Sequence, residues 1–282
     1  MPLLRRGFRR GSVVIPFNLH ALKRSTEVYG YSERGILNSL LYEILYADNG
    51  AALFDRLIAE AKFPLTGHRP SSGAATIFVE QTFARRGGFG DSDAIFLISS
   101  EALNYAIFVE AKVLAQARDW RLPDEFDRFE AGVKRKSQTD KSFSSNIFTQ
   151  LYHKQGLVSA LSREGIDVLK QGIEFPTWSF NSDSRSRLRK IGQNPVVLRA
   201  VDCIQQYNDN VFYLTLIPDT NLRAANFFDR KLRDVQLKTV PEWDPSHYGY
   251  LTWATVKSFC AQNHLEATLD VFAYNVGQIF RE

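Results

Sequence analysis

Residues 90–113 constrain this chain more tightly than any other stretch. Gly90-Asp91-Ser92-Asp93-Ala94-Ile95-Phe96-Leu97-Ile98 is followed, after a polar Ser99-Ser100-Glu101 turn, by Tyr105-Ala106-Ile107-Phe108-Val109-Glu110-Ala111-Lys112-Val113. Both runs are short and rich in Ile, Val and Phe, as strands are. Alternation puts Asp91, Asp93, Ile95 and Leu97 on one face of the first, and Ala106, Phe108, Glu110 and Lys112 on one face of the second. So short a connection predicts an antiparallel hairpin. With the turn centred between Glu101 and Ala102, Asp93 lies opposite Glu110 and Asp91 opposite Lys112, with opposed Cβ atoms about 5 Å apart. A slip of one residue would send Asp93 to the other face, so the reading depends on register.

Two carboxylates in contact resist ionising together unless a cation sits between them. Mg²⁺ is held by one or two carboxylates together with phosphate oxygens and water. A neighbouring lysine can hold or help deprotonate an attacking water, or neutralise a phosphate. These are the parts of a metal-dependent phosphodiesterase. A plainer account exists: Glu-x-Lys is common on exposed strand faces, and cross-strand Asp–Lys pairs are ordinary salt bridges. Against it, residues 106–113 are apolar on both faces except at Glu110 and Lys112, which reads as a buried central strand. Charges there are costly unless they serve something.

Asp93 followed by Glu110-Ala111-Lys112 on the next strand resembles the PD-(D/E)XK nuclease superfamily. The resemblance implies a restriction-endonuclease-like core: an α/β fold with a central mixed β-sheet flanked by helices. It implies Asp93 and Glu110 as metal ligands, the Ala111 carbonyl completing the metal shell, Lys112 as the catalytic lysine and Mg²⁺ as cofactor, with Mn²⁺ a substitute. The proline that names the motif is absent, since Ser92 precedes Asp93. A helix before the sheet often carries a further acid toward the metal in this superfamily. Glu33 is the candidate and Glu43 the fallback, although a Glu in a first helical turn is also favoured by the helix dipole alone. The helix after the Glu-x-Lys strand often presents a Gln or Lys; Gln150 matches that position and Lys154 lies one helical turn on, while the RecB-like subgroup has Gln-x-x-x-Tyr, with Lys154 standing where that Tyr would be. Asp91, on the same strand face, is the alternative to Asp93.

Apolar residues at helical spacing predict a helix over 33–46 with Ser32 as its N-cap, and a second over 51–61. A strand is expected over 75–83, then a hairpin turn at Arg85-Arg86-Gly87-Gly88-Phe89-Gly90. Residues 118–142, dense in both charges, read as a mobile loop or an exposed helical segment. Helices are expected over 146–161 and 195–207, a strand over 211–217, and after Tyr248-Gly249-Tyr250-Leu251 a helix capped by Thr252. A short strand over 12–17 is a further candidate. Candidate phosphate contacts are Arg5, Arg6, Arg9, Arg10, Lys134, Arg135, Lys136, Lys141 and the basic loop 178–190.

No repeat or clean linker divides the 282 residues, so a single elaborated domain is expected, with its core over about 33–217 and an extension over 218–282. A net charge of +4 suits a polyanion partner. Two distant cysteines, Cys203 and Cys260, fit a reduced cytoplasmic setting, and no apolar run is long enough to span a bilayer. The expected function is Mg²⁺-dependent hydrolysis of nucleic acid, with DNA the favoured polymer. A restriction, repair or phage-defence role and a homodimer are both compatible. The alternatives are a non-catalytic nucleic-acid-binding protein on the same fold, and a protein in which the trio is only a salt-bridge cluster.

Overall fold

The computed structural model describes residues 30–66, 73–83, 89–100, 104–114, 120–135, 146–165, 194–207, 210–234 and 243–279. The expected strand over 12–17, Arg5, Arg6, Arg9, Arg10, Arg85, Arg86, Lys136, Lys141 and the loop 178–190 lie outside the described residues, as do the side chains of Lys134 and Arg135. The chain begins with α1 (Ser32–Tyr46) and α2 (Gly50–Ala59), then β1 (Ala74–Thr82), β2 (Asp91–Ser99) and β3 (Asn104–Ala111). Next come α3 (Leu122–Arg135), α4 (Ile147–Glu164), α5 (Pro195–Gln205) and β4 (Val211–Ile217). Then follow α6 (Asn221–Asn226), continued by a π-helical turn over Phe227–Leu232, and β5 (Tyr248–Thr252). The helices α7 (Trp253–Gln262), α8 (Glu266–Tyr274) and α9 (Val276–Ile279) come last.

The three successive apolar runs β1, β2 and β3 form an antiparallel meander, and β3 pairs Ile95 with Phe108 and Ala94 with Val109, the register expected of the hairpin. Parallel neighbours need a crossover. The chain supplies one through α3 to α5, so β4 lies parallel to β3, and another through α6, so β5 lies parallel to β4. The result is a five-stranded mixed sheet in the order β1-β2-β3-β4-β5, flanked by helices. The α/β class expected from the sequence is the one observed.

Alternation along the strands divides the core in two. Ile95, Leu97, Ala106, Phe108 and Tyr213 pack against α3, α4, α5 and α6. Ala94, Phe96, Ile107, Val109 and Leu214 pack against α1, α2, α7 and α8. Every residue of β3 after Asn104 is buried, so this strand is covered on both faces.

Two expectations need correction. Of the stretch 118–142, the described residues 120–135 are not simply a loop or an exposed segment. Leu122, Phe126, Phe129 and Val133 fall on one helical face of α3 and are buried in the first core layer. Ser32 does not cap α1. It has a left-handed φ of 59°, and its N–H donates to Asn275 Oδ1 at 3.0 Å, while Tyr31 holds the cap position without a side-chain bond. Thr252 does cap its helix, accepting from Thr255 N–H at 3.2 Å.

Glu43 has a structural task. Its carboxylate accepts from Ala267 N–H (3.0 Å), Thr268 N–H (2.8 Å) and the Thr268 hydroxyl (2.6 Å), closing the first turn of α8. Glu43→Ala is therefore expected to lower stability by about 1–2 kcal/mol in urea denaturation, with divalent-ion affinity unchanged. Loss of ion affinity with stability intact would restore Glu43 as the helix acid of the site.

Candidate functional site

The β2–β3 ladder runs to the Ala94–Val109 pair and then parts. The same register sets Asp93 level with Glu110. Asp93 turns its carboxylate into the gap, where Oδ2 accepts from Ala111 N–H at 2.8 Å. The Ser92 hydroxyl lies 2.9 Å from the Ala94 carbonyl and 3.3 Å from the Val109 carbonyl, so side chains close the ladder where backbone pairing stops. In a ladder of this kind the N–H and C=O of one residue share an edge, which puts the Ala111 carbonyl on the Asp93 side of β3.

Glu110 is 3% exposed. Its Oε1 accepts from Lys112 Nζ at 2.7 Å, and its Oε2 is buried with no hydrogen-bond partner among the described residues. The Lys112 backbone is held from two sides: its N–H donates to the Leu216 carbonyl at 2.8 Å, and its carbonyl accepts from Trp253 Nε1 at 2.7 Å. Burial pushes the Glu110 carboxyl up from its ordinary 4.5 to about 7, with Lys112 opposing and Asp93 adding to the rise. Burial also raises Asp93, against the pull of Lys112 and the Ala111 N–H. For Lys112 burial works downward, but Glu110 and Asp93 outweigh it and hold the ammonium above its ordinary value.

The structure brings more groups to this point. Glu33, in the first turn of α1, lies within electrostatic reach of Asp93 and Lys112. Its neighbour Arg34 has Nε 3.7 Å from Asp93 Oδ1 and Nη1 3.0 Å from Glu80 Oε2. Lys154 of α4 is 1% exposed, donates to the Phe89 carbonyl at 3.0 Å, and interacts with Glu110, Asp91 and Asp93. Burial pulls its ammonium below the ordinary lysine value against those three carboxylates. Gly90, at φ 70°, leaves room for it: a Cβ there would stand 3.2 Å from Lys154 Nζ. Gln150 lies one helical turn before Lys154 and is half-buried, and no hydrogen bond links its side chain to Asp93, Glu110 or Lys112 among the described residues. Asp91 is exposed at the start of β2.

Lys154, Arg34 and Glu80 are absent from the set of site residues expected from the sequence. Lys154 had a signal, its position one turn beyond Gln150. Glu80 becomes visible only once β1 is in register, because Val79–Ala94 and Gln81–Ser92 flank it and set it level with Asp93.

Among the described residues no group of three or more His, Cys, Asp or Glu side chains is placed to hold a metal ion by itself. Mg²⁺ does not require that, since water and substrate oxygens complete its shell. Asp93, Glu110 and the Ala111 carbonyl fit such an ion. The orphaned Glu110 Oε2 is the acceptor that a cation would satisfy, and an unpartnered buried carboxylate oxygen otherwise carries a desolvation cost. A separate recess of about 810 Å³ lies between α1 and α8, lined by Tyr42, Tyr46, Leu53 and Leu265 among others. It contains none of these charged groups, apart from the already committed Glu43.

The Glu110 environment predicts a pH dependence. Its folded value lies above its unfolded one, so its contribution is fully present below about pH 4.5 and is lost as pH rises to about 7. In urea denaturation with chelator present, the native chain should lose stability relative to Glu110→Gln across that window, by on the order of 3 kcal/mol. A difference that does not vary with pH would remove the buried-carboxylate account. No family model, curated protein or solved structure matches this chain, so the functional reading rests on the geometry of these residues.

Proposed function

We propose that this chain is a metal-dependent nuclease of the PD-(D/E)XK type, hydrolysing phosphodiester bonds in nucleic acid, with DNA the favoured polymer. The observation that carries the reading is the buried, unpartnered Glu110 Oε2 beside Asp93 and Lys112 at the end of a strand covered on both faces.

Asp93, Glu110 and the Ala111 carbonyl would hold the ion. When bound, Mg²⁺ lowers the pKa of a coordinated water and offsets charge developing on a phosphoryl oxygen. Lys112, held protonated by its two carboxylate neighbours, orients the attacking water and stabilises phosphate charge rather than removing the water's proton. Lys154 balances the carboxylates from the α4 side and ties the site to the end of the β1–β2 connection through Phe89. Glu33 serves as an auxiliary acid, and Gln150 as an auxiliary contact from α4.

The test is cleavage of plasmid, single-stranded DNA and RNA with Mg²⁺ or Mn²⁺, comparing the native chain with Lys112→Ala and Asp93→Asn. Cleavage should require the metal and fall by about 100-fold or more in each folded variant. Absence of metal-dependent cleavage on all three substrates, or equal rates in the variants, would overturn the proposal.

A further inference from the structure

Arg34 stands over the one Asp93 oxygen that the fold leaves open. Asp93 Oδ2 is committed to the Ala111 N–H. Oδ1 faces the Arg34 guanidinium, whose Nε is 3.7 Å away and whose Nη1 is paired with Glu80 Oε2 at 3.0 Å. A side-chain cation thus sits between two carboxylates from adjacent strands.

Glu80 reaches this pairing at a backbone cost. It has φ 51°, in the left-handed region, within β1. A residue with a Cβ rarely adopts that conformation, and such outliers collect at functional sites. It departs from the regular strand where Glu80 is level with Asp93, and its carboxyl meets the first turn of α1. That turn is fixed at its root: Asn275, 1% exposed, donates to the Gly30 carbonyl at 2.8 Å and accepts from Ser32 N–H at 3.0 Å. Gly35 allows this close return of the chain, because a Cβ there would overlap the Gly30 backbone. The guanidinium end is different. Arg34 is 53% exposed, and ion pairs so open to water are weak and readily exchanged.

We infer that Arg34 is a placeholder cation, covering Asp93 in the metal-free protein and passing to the substrate phosphate once a divalent ion takes Asp93. Glu80 is the positioning residue that keeps Arg34 at the rim of the site. The inference rests on the nuclease reading. The guanidinium fork suits two phosphate oxygens as well as it suits a carboxylate, so Arg34 exchanges one anionic partner for another without leaving α1. The consequence is coupling. Arg34 competes with the ion when substrate is absent and assists substrate when the ion is present, so ion and substrate each strengthen the binding of the other.

Two titrations test this: Mn²⁺ alone by calorimetry, and a fluorescein-labelled DNA duplex by anisotropy at increasing Ca²⁺. Arg34→Ala should bind Mn²⁺ about three- to fivefold more tightly, the scale of an exposed pair. It should bind DNA about tenfold more weakly at saturating Ca²⁺, and Ca²⁺ should enhance its DNA binding less than it does for the native chain. Once Arg34 is Ala, Glu80→Gln should leave the degree of Ca²⁺ enhancement of DNA binding unchanged, because its positioning role acts through Arg34. Unchanged or weaker Mn²⁺ binding in Arg34→Ala, with the native degree of Ca²⁺ enhancement, would make Arg34 an ordinary surface charge and overturn the inference while leaving the nuclease reading in place. A native chain that binds no Mn²⁺ would remove the nuclease reading itself, and the inference with it.

Discussion

Glu110 and Lys112 form an ion pair at the end of a strand with helices packed on both its faces, and the rest of the site is arranged around the cost of putting them there. A buried pair of this kind roughly breaks even against well-packed apolar residues of the same volume, so stability alone gives no reason to keep it. The pair is also unbalanced. Lys112 satisfies one carboxylate oxygen and leaves the other buried without a partner. Asp93 adds a second carboxylate through the opening in the ladder, and Lys154, almost fully buried, supplies a counter-charge from α4. What these two ammonium groups leave unsatisfied is the second Glu110 oxygen, the acceptor that a divalent cation would meet.

The topology places that cluster where elements from several parts of the chain meet. β3, β4 and β5 run parallel, and Lys112 follows directly on the carboxyl end of β3. Open α/β sheets bind ligands outside the carboxyl ends of their strands. α7 starts immediately after β5, and its first residue, Trp253, holds the Lys112 carbonyl in place. The first turn of α1, pinned by Asn275 from beyond α8, brings Glu33 and Arg34 against β1 and β2. The elements after β5, expected from the sequence to be an extension beyond the core, therefore position both Lys112 and α1.

The hairpin was legible because two strong signals agreed. Short apolar runs marked the strands and a short polar connection marked the hairpin, while its register depended on where the turn was centred and is given by the Ala94–Val109 pairing. β4, with seven apolar or β-branched residues in succession, and the helix after Asn146 were legible for similar reasons. The charge density of α3 masked a regular apolar spacing at Leu122, Phe126, Phe129 and Val133. Ser32 is a good cap by residue type, but tertiary contact with Asn275 overrides that preference and gives it a positive φ. The role of Glu43 needs α8 beside α1, a contact more than two hundred residues distant in sequence. Glu80 and Arg34 were hidden for a related reason: their pairing depends on a backbone conformation that no local pattern signals.

The central claim is that the carboxylates at the end of β3 hold a divalent ion. Anomalous diffraction from crystals soaked in Mn²⁺ above the Glu110 value of about 7 tests it most directly. The account predicts a peak with a carboxylate oxygen of Asp93 and Glu110 Oε2 each about 2.1 Å away. A saturated crystal with no peak there, and with Glu110 Oε2 still unpartnered, would contradict it.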